Sequence, residues 1–174
     1  AIENKRDEYK KADAYLMKAK PLLPKISYNY VKFNFFYHLA HIVYNKGDYI
    51  AAITQLKSVL SIKEIAQYED IKADMTALSG NIYVAQGELD LALKSYLEAV
   101  KVYDRLNLKK DLVNVYLDIA WLYFKQSNTE EIARFANMAM EIAKETKHEE
   151  GIARAHSTLG TLLSSQQKYT AAIQ

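Results

Sequence analysis

The 174-residue sequence predicts an all-α chain of antiparallel helix pairs, and three observations carry that reading. Gly (5) and Pro (2) are sparse while half the residues are hydrophobic, the profile of long helices joined by short turns. Small residues recur at Ala40, Gly80, Ala120 and Gly160, each 40 positions after the last, so the chain repeats itself. Around each small residue the apolar side chains follow helical spacing, and turn-forming residues come shortly after.

Taken in order, Tyr9, Ala12, Leu16 and Ala19, closed by Pro24, predict the second helix of a truncated pair over about 3–22. The first full pair spans about 26–46 and 49–64. Leu39, Ala40 and Val43 form the stripe of its first helix, Lys46-Gly47-Asp48 its turn, and Ala52, Leu56 and Val59 the stripe of its second. The next pair, 68–86 and 89–106, repeats this with Ser79, Gly80 and Tyr83, then Gln86-Gly87-Glu88, then Ala92, Tyr96 and Ala99. In the third, 110–126 and 129–146, Ile119, Ala120 and Tyr123 precede Ser127-Asn128-Thr129 and the helix of Ile132, Ala136 and Ala139. Asn128 with Glu131 reads there as a capping box, and the bulk expected at Ala136 has moved to Phe135. A last helix over 149–166, with Leu159, Gly160 and Leu163, is expected to turn at Gln166-Gln167-Lys168. Tyr169-Thr170-Ala171-Ala172-Ile173 would then open another helix, as Tyr49-Ile50-Ala51-Ala52-Ile53 does. Small residues on the second helices let neighbours approach closely. The expected organisation is one array over 1–174, a piece of a longer protein. It comprises a partial repeat at 1–24, repeats near 26–66, 67–107 and 108–147, and a partial repeat at 148–174.

The charges narrow the function. Twenty-three basic and 21 acidic residues are spread along the chain without a polybasic arm, which disfavours a nucleic-acid surface. No apolar run approaches the roughly 20 residues of a bilayer span, so no membrane contact is expected of this region. The charged opening AIENKRDEYKKADAY is unlike a signal peptide. Without cysteine there is no thiolate nucleophile, thiolate metal site or disulfide. A cytoplasmic location is expected, with the periplasmic part of a membrane-anchored sensor as the alternative.

The pattern resembles the tetratricopeptide repeat. Gly80, Tyr83, Gly87, Leu89, Ala92, Tyr96 and Ala99 are its best match, followed by Leu39, Ala40, Val43, Gly47, Tyr49, Ala52, Leu56 and Val59. The spacing of 40 departs from the usual 34. It is similar to the long repeats of bacterial regulators such as the peptide-responsive Rap-like and MalT-like proteins. The resemblance implies a right-handed superhelical solenoid of antiparallel helix pairs, with the first helix of each pair lining a concave groove. By family register that groove would hold Asn34, Tyr37, His41, Tyr44 and Asn45, then Asp74, Ala77, Asn81 and Val84. Asn114, Leu117, Asp118, Trp121 and Lys125 follow, then Arg154, Ser157 and Thr161. Asn side chains can bracket a peptide backbone, and Tyr and Trp give large contact area at small entropy cost, so a protein or peptide partner is expected. The family's carboxylate clamp is not expected, because Tyr37 and His41 stand where Lys and Asn would be.

No catalytic constellation accompanies these residues. His38 and His41, at i and i+3, could reach one metal, but no neighbouring carboxylate completes a set. There is no Gly-rich phosphate loop, nucleophile elbow or HExxH pair, so neither cofactor nor enzymatic activity is expected. The leading expectation is a sensory or partner-docking region of a bacterial transcriptional regulator or signal transduction protein. The alternative is an architectural module that self-associates through open repeat ends, since a cut pair leaves an apolar face uncovered.

Overall fold

A computed structural model describes the backbone of residues 2–173 and the side chains of residues 10–166. Eight α-helices account for nearly all of it, with no strand among the described residues: α1 (Ile2–Ala19), α2 (Asn29–Asn45), α3 (Tyr49–Leu60), α4 (Glu69–Gln86), α5 (Leu89–Arg105), α6 (Lys109–Lys125), α7 (Thr129–Glu145) and α8 (Glu149–Ile173). Two expected helices end early. After α1, Lys20–Lys25 forms a 3-10 turn containing Pro21 and Pro24, whose missing N–H groups cannot extend an α-helix. After α3, Ser61 closes the helix and Lys63–Gln67 forms a second 3-10 turn that buries Ile65.

The turns follow the expected chemistry at two sites and depart from it at two. Gly47 and Gly87 take the left-handed backbone, at φ of 85° and 83°. In the third turn Ser127, at 56°, takes that conformation. Asn128 instead caps α7, its Oδ1 accepting the Glu131 N–H at 3.2 Å. Only half of the expected capping box forms, because the Glu131 carboxylate pairs with Arg134 at 2.9 Å. The fourth turn is absent: α8 runs unbroken through 166–168 to Ile173. Gln166-Gln167-Lys168 are good helix formers and offer neither Gly nor Asn to leave the helix, so nothing local stops it. The side chains of the Tyr169–Ile173 stub, like that of Tyr9, lie outside the described residues.

The contacts group into two compact units, residues 1–87 and 88–174. In the first, α2, α3 and α4 enclose Phe33, Ala40, Leu56, Ile65, Ile71, Met75 and Ile82. The small residues do what their spacing implies: Ala40, Gly80 and Ala52 are buried, so the helices meet closely. Ser79 is buried and donates its hydroxyl to the Met75 carbonyl at 2.9 Å, which satisfies it within its own helix. In the second unit α6, α7 and α8 pack on one another around Val113, Leu117, Ala139, Met140, Ala143 and Ala155. Phe135 and Ala136 are both buried, so the bulk did move by one position. Phe135 stacks on Tyr123 of α6, centroids 5.8 Å apart and planes at 17°.

Gly160 breaks the pattern. Its equivalents Ala40, Gly80 and Ala120 are buried, yet Gly160 is exposed and Leu163, three residues on, is 59% exposed. No helix packs there among the described side chains. Gly151, in contrast, is crowded: an added Cβ would lie 2.7 Å from Val113 Cγ1, 2.8 Å from His148 Nδ1 and 3.1 Å from Ala143 Cβ. The two glycines should therefore answer the same substitution with opposite sign. Gly160→Ala meets nothing within 4 Å and gains helix propensity, so stability should rise by up to about 1 kcal/mol. Gly151→Ala should lower it by about 1–2 kcal/mol, because fully buried Val113 and Ala143 cannot yield. Urea unfolding of the two variants, read by circular dichroism, checks both signs.

Candidate partner-binding groove

In the first unit the candidates on α2 form a continuous row of rings. Tyr37 meets His41 at 6.3 Å between centroids, His41 meets Tyr44 at 6.2 Å, and Tyr44 meets Tyr49 of α3 at 5.8 Å. The i, i+3 and i, i+4 spacing of residues 37, 41 and 44 puts them on one helix face. Asn45 lies one turn after His41, with its Nδ2 2.8 Å from His41 Nδ1. The amide donates, so that ring nitrogen is an acceptor and the imidazole carries its proton on Nε2. Burial, and secondarily the charge on His38, pulls His41 below the ordinary histidine range and favours this neutral form. The His38–His41 pair is therefore not set out as two free ligands. Asn34 turns its amide back to the Tyr30 carbonyl of its own helix, at 3.5 Å. On α4, Asp74, Ala77, Asn81 and Val84 are half-buried, and Asp70 accepts the Tyr30 hydroxyl of α2 at 3.1 Å.

In the second unit α6 and α8 bring candidates of both helices together. Arg154 of α8 donates through one terminal nitrogen to Asn114 Oδ1 at 2.7 Å and through the other to Asp118 Oδ1 at 3.0 Å. Asn114 and Arg154 occupy the same repeat position, 40 residues apart, which is why neighbouring first helices align them. Arg154 and Asp118 of this fork line a cleft of about 340 Å³, together with Leu117, Trp121 and Phe124 from α6 and Ser157, Thr158 and Thr161 from α8. Trp121, 54% exposed, leans on Phe124 at 5.7 Å, and the Lys125 ammonium lies 5.8 Å from the indole centroid. Phe124 and Thr158 were missed by the sequence reading. Phe124 could have been found, since it sits three residues after Trp121 at the repeat position of Tyr44. Thr158 takes the position of Asp118.

The Asp118 carboxyl is pushed up by burial, which outweighs the downward pull of Arg154. An acid whose folded pKa is raised binds its proton more tightly when folded, so stability should fall as pH rises from the ordinary carboxylate range through the raised folded value. Asp118→Asn should flatten that part of the curve. Arg154→Leu should cost about 1–2 kcal/mol at neutral pH, since it leaves a carboxylate only 28% exposed without its cation. Denaturant midpoints measured across the acid range check the sign.

Among the described residues no group of three His, Cys, Asp or Glu side chains is placed to hold a metal, and no helix is long and apolar enough to cross a membrane. Residues 73–145 match the tetratricopeptide repeat family. Two solved structures are similar to the chain. The apo form of RapI is 18% identical, with a TM-score of 0.77, over 99% of this chain and 63% of RapI. BtubC from P. vanneervenii is 15% identical, with a TM-score of 0.70, over 99% of this chain and 77% of BtubC. The chain thus spans less than two thirds of the length of RapI, and likeness at this identity shows the fold. No curated protein sequence matches the chain. Residues 73–145 thus carry tetratricopeptide-type repeats, and the fold class of the chain is the all-α array of helix pairs read from the sequence.

Proposed function

We propose that this chain is a protein- or peptide-binding scaffold, and that it serves as the sensory or partner-docking region of a larger bacterial regulator in the cytoplasm, a transcriptional regulator or a signal transduction protein. The observation that carries the reading is the α6–α8 cleft, where an exposed indole shares the lining with Asp118 and with Arg154, which is fixed by its bonds to Asn114 and Asp118. Exposed aromatic anchors beside oriented polar groups are the usual makings of a peptide site. A helical repeat of this type is in general a non-enzymatic scaffold.

Peptide display provides the test, with selection on the intact chain and counter-selection on Trp121→Ala. Enriched peptides that bind the chain and release the folded variant support the reading. Failure to enrich any such peptide overturns it. Self-association is a second reading, favoured by the exposed Gly160–Leu163 face of α8. If that reading holds, light scattering should give a mass that grows with concentration, and Leu163→Lys should abolish the growth.

A further inference from the structure

We infer that the α6–α8 cleft receives an aromatic side chain of the bound peptide, an inference that rests on the reading of the chain as a peptide-binding scaffold. The repeat register carries it. At repeat positions 37, 41 and 44 α2 places Tyr, His and Tyr, whose rings touch in sequence. At the equivalent positions α6 places Leu117, Trp121 and Phe124, again a bulky row. On α8 those positions are Ser157, Thr161 and Ser164, all small. A row of large side chains therefore stands beside a row of hydroxyls, and the volume not filled by α8 is the cleft itself.

The chemistry of the walls selects what fills it. Trp121 and Phe124 meet at 5.7 Å with planes inclined by 49°, and they offer ring faces and edges to a third ring. On the opposite wall Thr161 has spent its proton on the Ser157 carbonyl at 2.9 Å, and Thr158 has spent its own on the Arg154 carbonyl at 3.0 Å. Both hydroxyl oxygens are left as acceptors, suited to a phenol O–H or an indole N–H. A tyrosine or tryptophan side chain meets both walls at once: ring against Trp121 and Phe124, polar hydrogen towards the threonines. An aliphatic residue satisfies one wall only.

Trp121 is the only tryptophan in the sequence, so its indole N–H gives a single resonance that reports on the cleft. In ¹⁵N-labelled protein, N-acetyl-tyrosinamide should shift that resonance saturably. N-acetyl-leucinamide should bind roughly three- to tenfold more weakly, as expected of an aromatic pair against an aliphatic contact. Thr161→Phe, which supplies the missing ring from α8, should abolish the tyrosinamide response, with folding confirmed by circular dichroism. Equal or tighter binding of the leucine probe overturns the aromatic preference and leaves the scaffold reading intact. If neither probe moves the resonance the inference falls, whereas the scaffold reading is decided separately by the display selection.

Discussion

Trp121→Ala should weaken binding of a display-selected peptide by roughly 30- to 1,000-fold, equivalent to about 2–4 kcal/mol, while leaving the fold almost unchanged. The separation of the two effects follows from exposure. More than half of the Trp121 surface is open to solvent, so its removal opens no cavity in the core around Val113, Leu117 and Ala139. What disappears is the aromatic wall of the cleft and the platform under Lys125. Calorimetric titration of wild type and variant, paired with thermal unfolding, checks both halves. A loss of binding that came with a comparable loss of stability would make Trp121 a packing residue rather than an anchor. Substituting Ile50, which is exposed on α3, gives the control: its removal should leave affinity unchanged.

Phe135→Ala should have the largest effect on stability, about 3–5 kcal/mol. Phe135 is buried between two α6 rings, Tyr123 at 5.8 Å in a stacked arrangement and Tyr116 at 5.8 Å in a tilted one, and the Arg134 guanidinium lies 4.8 Å from its centroid. Against a usual total of 5–15 kcal/mol, that cost takes a large share of the second unit's stability. Ala136 beside it is already fully buried and carries no bulk to compensate. Because Phe135 backs the helix that presents Trp121, peptide affinity should fall as well, and it should recover in Phe135→Leu, which refills much of the volume. Urea unfolding followed through Trp121 fluorescence measures the first effect, and titration measures the second.

The helices and their pairing were legible because the apolar period and the 40-residue recurrence report the same burial twice. Tyr96, Ala99, Ala120 and Ala139 are buried where the register put them. Turns were legible where Gly alone solves the backbone problem, at Gly47 and Gly87. They were not where Ser127 and Lys147 adopt positive φ, since neither residue type favours that conformation. The missing turn at 166–168 and the bare Gly160 share a cause. The repeat pattern continues there in letters, but no described side chain packs against that face to make it act as a repeat. At the candidate site, Asn114 and Arg154 could be grouped in advance because positions 40 apart on first helices become neighbours, and Asp118 lies one helical turn after Asn114. That Asn34 would turn to its own helix, or Asn45 to His41, depends on side-chain rotamers, which spacing does not specify.

The central claim, that the α6–α8 cleft binds a partner segment through Trp121, is tested most directly by the fluorescence of that residue during a titration whose binding is measured independently by calorimetry. A peptide seated in the cleft removes water from a half-exposed indole. Emission should therefore shift to shorter wavelength, and acrylamide quenching should fall, with the same midpoint as the heat of binding. Heat of binding at unchanged Trp121 emission and quenching would contradict the claim and place the partner on another surface.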